Sequence, residues 1–478
     1  MRLTPAAGPA IPVHPGENPM DGHPNEGVPE LRPADLIYGL EDRPPLRLSL
    51  LVALQHVLAV FVGIVTPPLL ITRALQLPQA DGIFLVSMAL LVSGVGTVLQ
   101  TRRLGPVGSG LLSIQGTSFV FLGPIISLAT SLIAAGSTSA QSLGVVFGVC
   151  LAGSLIPIII GPFIRLAARV ITPLVSGVVV TLIGLTLVEV GITSLAGGFE
   201  ARQLGTFGSA QNLGLAALVI ALIVALNNSR REWLRMASVV AGLAGGFVVA
   251  LVAGKVAITD LHRLPWLALP APLHYGLGFH ATALVPFMFL YVITAIESIG
   301  DITATSALSG EPISGPKYFM RLRGGVMADG VSSLIAALFN SFPSTTFAQN
   351  NGVIQLTGVG SRHIGTLIGA MLIVLGLFPV VGGVVEAMPP AVLGGATLIM
   401  FGTVAVAGIK ILSGVHMDRR SSTIAAVSLG LGLGVSFVPE TLGALPALVR
   451  DMFSSGIATG GLCALLLNAL LPGRRAQR

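Results

Sequence analysis

Long apolar segments follow one another along almost the whole chain, and this pattern constrains the fold more than any other feature. Between residues 48 and 472 the apolar runs are about 20 residues long, which is the length of a helix that crosses a bilayer. Charged residues make up only 10% of the 478, whereas a soluble domain has about 25%. The mean hydropathy is +0.88. The sequence therefore predicts an all-α membrane protein.

Counting from one polar loop to the next predicts fourteen transmembrane segments. They lie near residues 48–73, 82–101, 110–135, 140–165, 171–191, 212–228, 235–254, 279–306, 323–341, 344–361, 364–385, 391–410, 421–438 and 454–472. Segments 3 and 10 are too polar and too rich in glycine to be uninterrupted helices.

Basic residues give an independent check on this count, because lysine and arginine concentrate on the cytoplasmic side of membrane proteins. With the N-terminus inside, 21 of the 26 basic residues fall on the cytoplasmic side, and the exceptions are Arg73, Arg202, Lys255, Arg263 and Arg450. One missed segment would reverse every later loop, so the asymmetry favours fourteen segments and two cytoplasmic termini. The basic residues form no single patch, which argues against nucleic acid as a partner despite a pI of 9.9.

The chain ends differ from the apolar body. Residues 1–46 hold ten of the 31 prolines and no apolar run, which predicts a disordered cytoplasmic tail rather than a signal peptide. Within this tail, residues 36–45 are expected to lie on the membrane surface where the chain enters. Residues 473–478 are predicted to be a short cytoplasmic C-terminal tail.

Fourteen segments divide into seven plus seven, and an odd-numbered repeat places its second copy upside down. Inverted repeats of this kind are common in secondary transporters, whose substrate sites lie at interrupted helices. Segment 3 opens with polar and glycine residues at 108–119, and segment 10 opens similarly at 344–352. Non-helical backbone at membrane depth is tolerated where it lines a cavity. The paired interruptions therefore predict a binding site for a small solute.

Three carboxylates lie well inside the predicted segments: Glu297, Asp301 and Asp329. Each costs at least about 2.5 kcal/mol at the membrane centre, so each needs a partner, a proton or a function. Glu297 and Asp301 are four residues apart and share a helix face. Such neighbours are not expected to be ionised together, which suits a proton-coupled carrier. The alternative for each is a structural role with serine, threonine or backbone partners.

Two further side chains are candidates with structural alternatives. His56 follows Gln55 near the start of segment 1, and it either forms structural hydrogen bonds or organises the site and the proton path. Phe119 sits at the break in segment 3, where its ring either packs or stacks on a planar solute.

Other chemistries find no support in the sequence. The eight histidines are dispersed and form no metal-ligand cluster, and no Gly-x-x-x-x-Gly-Lys phosphate loop suggests ATP hydrolysis. No nucleophile-plus-base motif suggests a membrane enzyme. We therefore expect a carrier that needs no metal ion or cofactor and is driven by a proton gradient.

Residues 349–358 read Gln-Asn-Asn-Gly-Val-Ile-Gln-Leu-Thr-Gly, which resembles the signature of the nucleobase–ascorbate transporter family. The family pattern is Gln, Glu or Pro, then Asn-x-Gly, four residues, Thr, and Gly, Arg or Lys. The resemblance covers nearly the whole chain after residue 36. It includes Gln55-His56, Gln115 to Phe119, Glu297 to Asp301, 394–397 and 468–473.

The resemblance extends to the bacterial xanthine permeases, which are xanthine–proton symporters of the inner membrane. It implies two inverted seven-segment repeats, short extended strands in segments 3 and 10, an elevator-like cycle and a homodimer. The implied core domain is residues 47–168 and 257–388, and the implied gate domain is residues 169–256 and 389–472.

The resemblance also implies roles for site residues. Glu297 accepts hydrogen bonds from purine N–H groups, and Gln349 pairs with the mixed donor–acceptor edge of an oxopurine. Phe119 stacks on the ring, the backbone amides near Ser118 and Ala348 contact it, and Asn350 shapes the site. Asp329, with Asp301 or His56, couples protonation to domain movement.

Three other functions stay open at this stage. The first is a uric acid or broader nucleobase permease, and the second is an anion exchanger that shares the fold. The third is a passive channel in which the polar breaks line a pore.

Overall fold

The structure, a computed structural model, describes residues 36–256, 264–446, 449–450, 453 and 455–471. Residues 1–35 of the predicted N-terminal tail and the predicted C-terminal tail at 473–478 lie outside the described residues.

Helices dominate the described residues. The first half contains α1 (Leu46–Ala74), α2 (Gln79–Arg102), β1 (Gln115–Thr117), α3 (Leu122–Ala134), α4 (Ser139–Gly153), α5 (Leu155–Ile160), α6 (Ile164–Val170), α7 (Pro173–Leu195), α8 (Gly198–Gln203), α9 (Ala210–Asn227), α10 (Glu232–Met236) and α11 (Ser238–Val252). The second half contains α12 (Ala281–Leu308), α13 (Gly315–Leu338), β2 (Ser344–Thr346), α14 (Gln349–Thr357), α15 (Arg362–Leu377), α16 (Pro379–Glu386), α17 (Pro390–Ser413), α18 (Arg419–Phe437) and α19 (Gly456–Leu470).

Seven helical stretches in the described part of the chain are long and apolar enough to cross a membrane. They are α1, α2, Ser139–Ala167, α7, α9, α12 and α17, and the pair α15 and α16 is an eighth candidate that bends by 76°. Shorter apolar helices occupy Phe119–Ala134, α11 and α19. The chain is thus a mostly helical, multi-pass membrane protein. Every predicted segment overlaps a described helix, and the count of fourteen spans stays a prediction.

Three predicted segments differ in detail from the structure. Segment 9 begins at Gly315 rather than near residue 323. Pro316 is suited to the first turn of a helix. Glu311 forms ion pairs with Lys317 and Arg321, which stabilise the polar first turns. Segment 4 is divided into α4, α5 and α6, with a 3-10 turn at Gly161–Phe163. Segment 11 bends before Pro379, where no helical N–H is available.

Residues 36–45 are hydrogen-bonded to the connection between α14 and α15, so the predicted disordered tail does not extend over them. The backbone N–H groups of Ile37 and Tyr38 donate to Gly358 O at 2.8 and 3.1 Å. The N–H of Gly360 donates to Tyr38 O at 2.9 Å, and that of Arg362 donates to Leu40 O at 3.0 Å. We call residues 36–45 the N-terminal strap.

Close helix packing depends on glycine at specific crossings. A Cβ atom on Gly94 of α2 would lie 2.5 Å from the Gly369 carbonyl oxygen of α15 and 2.8 Å from Ile373 N. Only a residue without a side chain allows α2 and α15 to approach this closely, which is how small residues act in membrane helix packing.

The two short strands pair antiparallel and join the two halves of the chain. Gln115 pairs with Thr346, Gly116 with Thr345 and Thr117 with Ser344. All six residues are buried. The strands therefore cross in the interior, at the two positions where the sequence is interrupted.

Candidate functional site

The backbone on either side of the strands is held by partners from the opposite half. The N–H of Gly108 donates to Gly324 O at 2.8 Å, and that of Ser118 donates to Pro343 O at 2.7 Å. The N–H of Phe347 donates to Ile114 O at 3.0 Å. Gly108 has a φ of 103°, a conformation that suits glycine. Buried backbone polar groups need such partners, so the two halves form one crossing together.

Each strand leads directly into the start of a helix. Ser118 is the N-cap of the 3-10 turn Phe119–Phe121, which continues into α3, and Ala348 is the N-cap of α14. Helix N-termini carry partial positive charge and N–H groups without helical partners. The crossing thus presents two helix starts that are suited to polar or anionic groups.

The carboxylates of α12 face the second strand. Thr346 Oγ1 donates to Asp301 Oδ2 at 3.1 Å, and Thr345 Oγ1 lies 3.5 Å from Glu297 Oε2. Because neighbouring strand residues contact carboxylates one helical turn apart, β2 runs along the acidic face of α12. The contact of Glu297 is the weaker of the two, so its carboxylate retains capacity for another donor.

Asp329 of α13 is almost fully buried and has partners for both oxygens. Gln115 Nε2 of β1 donates to Oδ1 at 2.5 Å, and Ser298 Oγ of α12 donates to Oδ2. Ser298 Oγ also lies 3.2 Å from Thr345 Oγ1. Asp329 therefore joins β1, α12 and α13 in one buried network.

Burial separates the site residues into two groups. Asp329 and Asn350 are 1% exposed and His56 is fully buried, whereas Glu297 and Gln349 are half-buried and Ala348 is exposed. No hydrogen bond of the Gln349 side chain occurs among the described residues. An accessible carboxylate and an accessible amide thus lie beside a buried polar network.

Asn350 and His56 belong to the buried group. Asn350 Nδ2 donates to Leu112 O, which connects α14 to the residues that precede β1. The His56 ring lies against the Asn350 side chain. Neither ring nitrogen, nor Asn350 Oδ1, has a partner with hydrogen-bond geometry in the described part of the chain.

Phe119 lies against α17 and is 8% exposed. Its ring meets that of Phe401 edge-on, with centroids 5.2 Å apart and planes at 87°. Phe119 thus packs across to the predicted gate domain, and little of its side chain is accessible. The buried Ser118 hydroxyl has no partner among the described residues.

Four polar residues of the network were given no role in the sequence analysis: Gln115, Ser298, Thr345 and Thr346. Gln115 and Ser298 stand next to residues that were singled out, and polar side chains at these interrupted positions are the signal that could have identified them. The sequence does not show which carboxylate each of these residues contacts, because that depends on how the two strands pair.

A cavity of about 730 Å³ lies elsewhere, at the ends of α1, α7 and α16. Its polar lining includes Arg73, Glu189, Glu200, Lys255 and Glu386. Arg73 donates to the carbonyl oxygens of Glu386, at 3.1 Å, and Met388. It therefore holds the connection between α16 and α17. All of these residues lie at predicted non-cytoplasmic ends of the helices.

A multi-pass helical fold with paired interruptions and an accessible carboxylate and amide defines a membrane transporter. The profile of the Permease family (Xan_ur_permease) matches residues 47–441, and the chain belongs to this family. This confirms the resemblance to the nucleobase–ascorbate transporters.

Curated relatives match over nearly their full lengths. Xanthine permease XanP of Escherichia coli (strain K12) is 49% identical over 446 residues, which are 93% of this chain and 96% of the relative. Xanthine permease XanQ of the same strain is 45% identical and covers 93% and 95%. Uric acid permease PucJ of Bacillus subtilis (strain 168) is 35% identical and covers 87% and 91%. All three are named permeases, so the chain is a transporter and not an enzyme.

Solved structures of other transporters share the fold. The transmembrane domain of the cyanobacterial bicarbonate transporter BicA is 15% identical, with a TM-score of 0.55 and coverage of 91% of this chain and 100% of that chain. SLC26A9 is 13% identical, with a TM-score of 0.61 and coverage of 88% and 64%. At these identities the likeness concerns the fold alone.

Proposed function

We propose that the protein is a proton-coupled symporter that imports xanthine across the bacterial inner membrane. The names of the two relatives at 49% and 45% identity support xanthine as the substrate. The observation that carries the proposal is a difference in hydrogen bonding between the polar side chains of the site. Glu297 and Gln349 are accessible and incompletely paired, while the neighbouring Asp329 has both oxygens satisfied.

The substrate lies at the strand crossing in this proposal. The Glu297 carboxylate accepts hydrogen bonds from purine N–H groups, and the Gln349 amide pairs with a carbonyl and an N–H of the oxopurine edge. Phe119 stacks on the ring, and the backbone near Ser118 and Ala348 supplies N–H donors. Asn350 shapes the site through its bond to Leu112.

Proton coupling in this proposal uses the half-buried Asp301 together with the buried Asp329 and His56. Asp301 bonds to Thr346 and lies one turn from Glu297, and Asp329 bonds to Gln115 and Ser298. A change of protonation at Asp301 therefore acts on β2, and one at Asp329 acts on β1, the two strands beside the proposed substrate site. His56 contacts Asn350 and joins the same network from α1.

Transport proceeds by an elevator-like movement of the core domain, residues 47–168 and 257–388, against the gate domain, residues 169–256 and 389–472. The contact between Phe119 and Phe401 crosses the proposed boundary between them. Fourteen spans in two inverted repeats, cytoplasmic termini and a homodimer complete the proposal. The antiparallel pairing of equivalent strands from the two halves supports the repeat.

Uric acid is a second candidate substrate, because the relative PucJ is a uric acid permease at 35% identity. Xanthine and uric acid share the oxopurine edge that Glu297 and Gln349 are proposed to recognise. Competition of labelled xanthine uptake by uric acid, uracil and sulfate separates a xanthine carrier from a broader nucleobase or anion carrier.

Uptake of radiolabelled xanthine by cells that express the chain tests the site. Glu297→Gln and Gln349→Ala each leave ligand groups unpaired, a loss of about 1–3 kcal/mol or about 5- to 150-fold in uptake at low substrate concentration. Glu232→Gln is the matched control, because Glu232 is the exposed first residue of the short helix α10. Normal uptake by a Glu297 or Gln349 variant that reaches the membrane at wild-type level contradicts the site.

A further inference from the structure

A second cavity, of about 300 Å³, lies at the predicted cytoplasmic ends of α1, α2 and α15, away from the strand crossing. It is lined by Arg43, Pro44, Ser49, Arg102, His363 and Leu367. Three of the six lining residues carry basic side chains, and none is acidic. The cavity is therefore suited to an anionic group.

The N-terminal strap fixes Arg43 at this cavity. Ser361 Oγ donates to Asp42 O at 2.5 Å, and Arg362 N donates to Leu40 O at 3.0 Å. On the other side of Arg43, Ser49 Oγ donates to Pro44 O at 3.0 Å. Because the backbone is held on both sides, Arg43 belongs to a formed site rather than to a free tail.

The nearest carboxylates are engaged with other groups. Glu41 forms an ion pair with Arg362 at 2.7 Å, and Asp42 Oδ2 accepts the N–H of Gly39 at 2.7 Å. Neither Arg43 nor Arg102 forms an ion pair with a carboxylate among the described residues. Within the part of the chain that the structure describes, the cavity thus contains two arginines without an acidic partner.

The arginine side chains lie close enough together to create a positive potential at the cavity. Arg102 is oriented by its Nε, which donates to Thr366 Oγ1 at 2.8 Å. Three arginines (Arg43, Arg102 and Arg362) and one opposing carboxylate (Glu41) act electrostatically on His363, which lies in the first turn of the 16-residue helix α15. The partial positive charge at this helix start adds to the field of the arginines.

An exposed apolar surface lies on α1, the helix that contributes Ser49 to the cavity lining. Leu46, Leu50 and Leu54 repeat every four residues and are 66%, 42% and 47% exposed. In a membrane helix, exposed leucines of this kind face acyl chains. A basic cavity beside an acyl-facing helix surface has the layout of a site for a whole phospholipid.

We infer that this cavity binds the phosphate of an anionic phospholipid, with Arg43 and Arg102 on the phosphate and the acyl chains along Leu46, Leu50 and Leu54 of α1. Phosphate groups favour arginine donors and helix N-termini. Free phosphate has the same headgroup chemistry, but only a lipid also uses the leucine surface. The lipid ties the strap to α2 and α15 at the membrane surface.

Binding of phosphatidylglycerol to the purified, detergent-solubilised chain tests the inference by native mass spectrometry and thermal unfolding. Arg43→Gln and Arg102→Gln should each weaken phosphatidylglycerol binding about fivefold, and together about 25-fold. Phosphatidylcholine should bind the wild type no better than it binds the double variant.

The matched control is Arg230→Gln with Arg231→Gln, which removes two exposed arginines from the predicted cytoplasmic side of the gate domain. This control should keep wild-type binding of phosphatidylglycerol. Equal weakening in the control and the Arg43/Arg102 double variant overturns the inference, since binding would then depend on net charge alone. If inorganic phosphate raises the unfolding temperature as much as phosphatidylglycerol does, the occupant is not a lipid and the inference is wrong.

Discussion

Gln115, on the strand of the first half, donates a hydrogen bond of 2.5 Å to Asp329, on a helix of the second half. Asp329 receives a second hydrogen bond from Ser298, which is the neighbour of Glu297. The proposed substrate carboxylate and the most buried acid of the site are therefore linked through adjacent residues of one helix. This relationship makes the strand crossing sensitive to any change at Asp329.

Replacing Asp329 with alanine should destabilise the crossing. Gln115 Nε2 and the Ser298 hydroxyl would each lose their acceptor in a buried site, at a cost of about 1–3 kcal/mol per group. We expect a lower unfolding temperature in detergent and loss of uptake. Ser332→Ala is the control on the same helix, since the buried Ser332 hydroxyl has no partner among the described residues. Equal unfolding temperatures for the two variants would contradict the network.

Gly94→Ala should separate α2 from α15. The new methyl group would meet the Gly369 carbonyl oxygen at 2.5 Å, and overpacking of this kind costs about 1–3 kcal/mol. Gly430→Ala is a matched control, because a Cβ there has no atom within 4 Å outside its own helix. The unfolding temperature should fall for Gly94→Ala only. An unchanged unfolding temperature for Gly94→Ala would show that α2 and α15 pack less closely than the structure indicates.

Arg73→Gln should loosen the connection between α16 and α17. Hydrogen bonds to a charged group contribute about 1.5–3 kcal/mol, and Arg73 makes two of them to the carbonyl groups of Glu386 and Met388. We expect a lower unfolding temperature and a lower maximal uptake rate. Arg202→Gln removes an arginine of the same cavity that lies over the Phe207 ring and should have a smaller effect on both. If both variants lower the unfolding temperature and the uptake rate equally, the cause is the lost positive charge in the cavity and not the hydrogen bonds of Arg73.

Glu311 should make stability depend on pH. Burial raises the pKa of its carboxyl group, but hydrogen bonds and charges from Lys317 and Arg321 outweigh burial and hold the pKa below its usual value of 4.5. A depressed folded-state pKa contributes stability above the unfolded-state pKa, and this contribution is lost as pH falls through the folded-state pKa.

Glu311→Gln should therefore unfold at a lower temperature than the wild type at pH 7. The difference should shrink below pH 4.5, the ordinary pKa of the group. Unfolding temperatures measured from pH 7 to pH 3 check this, and a difference that is independent of pH would exclude ionisation of Glu311 as its source.

Much of the architecture was predictable from the sequence, because hydropathy depends on local composition. The apolar runs predicted the helices, and the polar residues at 108–119 and 344–352 predicted both interruptions. The four-residue spacing of Glu297 and Asp301 predicted a shared face, and the structure places both beside β2.

Long-range packing was not predictable in the same way. The contact of Phe119 with Phe401 and the bond of Asn350 to Leu112 depend on how distant segments are placed. The strap was predicted only as a membrane-surface stretch of a disordered tail, because ten prolines and no apolar run occur in the first 46 residues. Its alternating apolar residues Leu36, Tyr38 and Leu40 were the signal of a strand-like contact, and Leu40 is only 5% exposed.

The most direct test of the proposed function is xanthine accumulation in liposomes that contain the purified chain and carry an imposed inward proton gradient. The account predicts that labelled xanthine rises above its external concentration and that a protonophore abolishes this rise. Glu297→Gln liposomes should take up xanthine about 5- to 150-fold more slowly. Xanthine that only equilibrates across the membrane, or that accumulates equally with the protonophore present, would contradict proton-coupled symport.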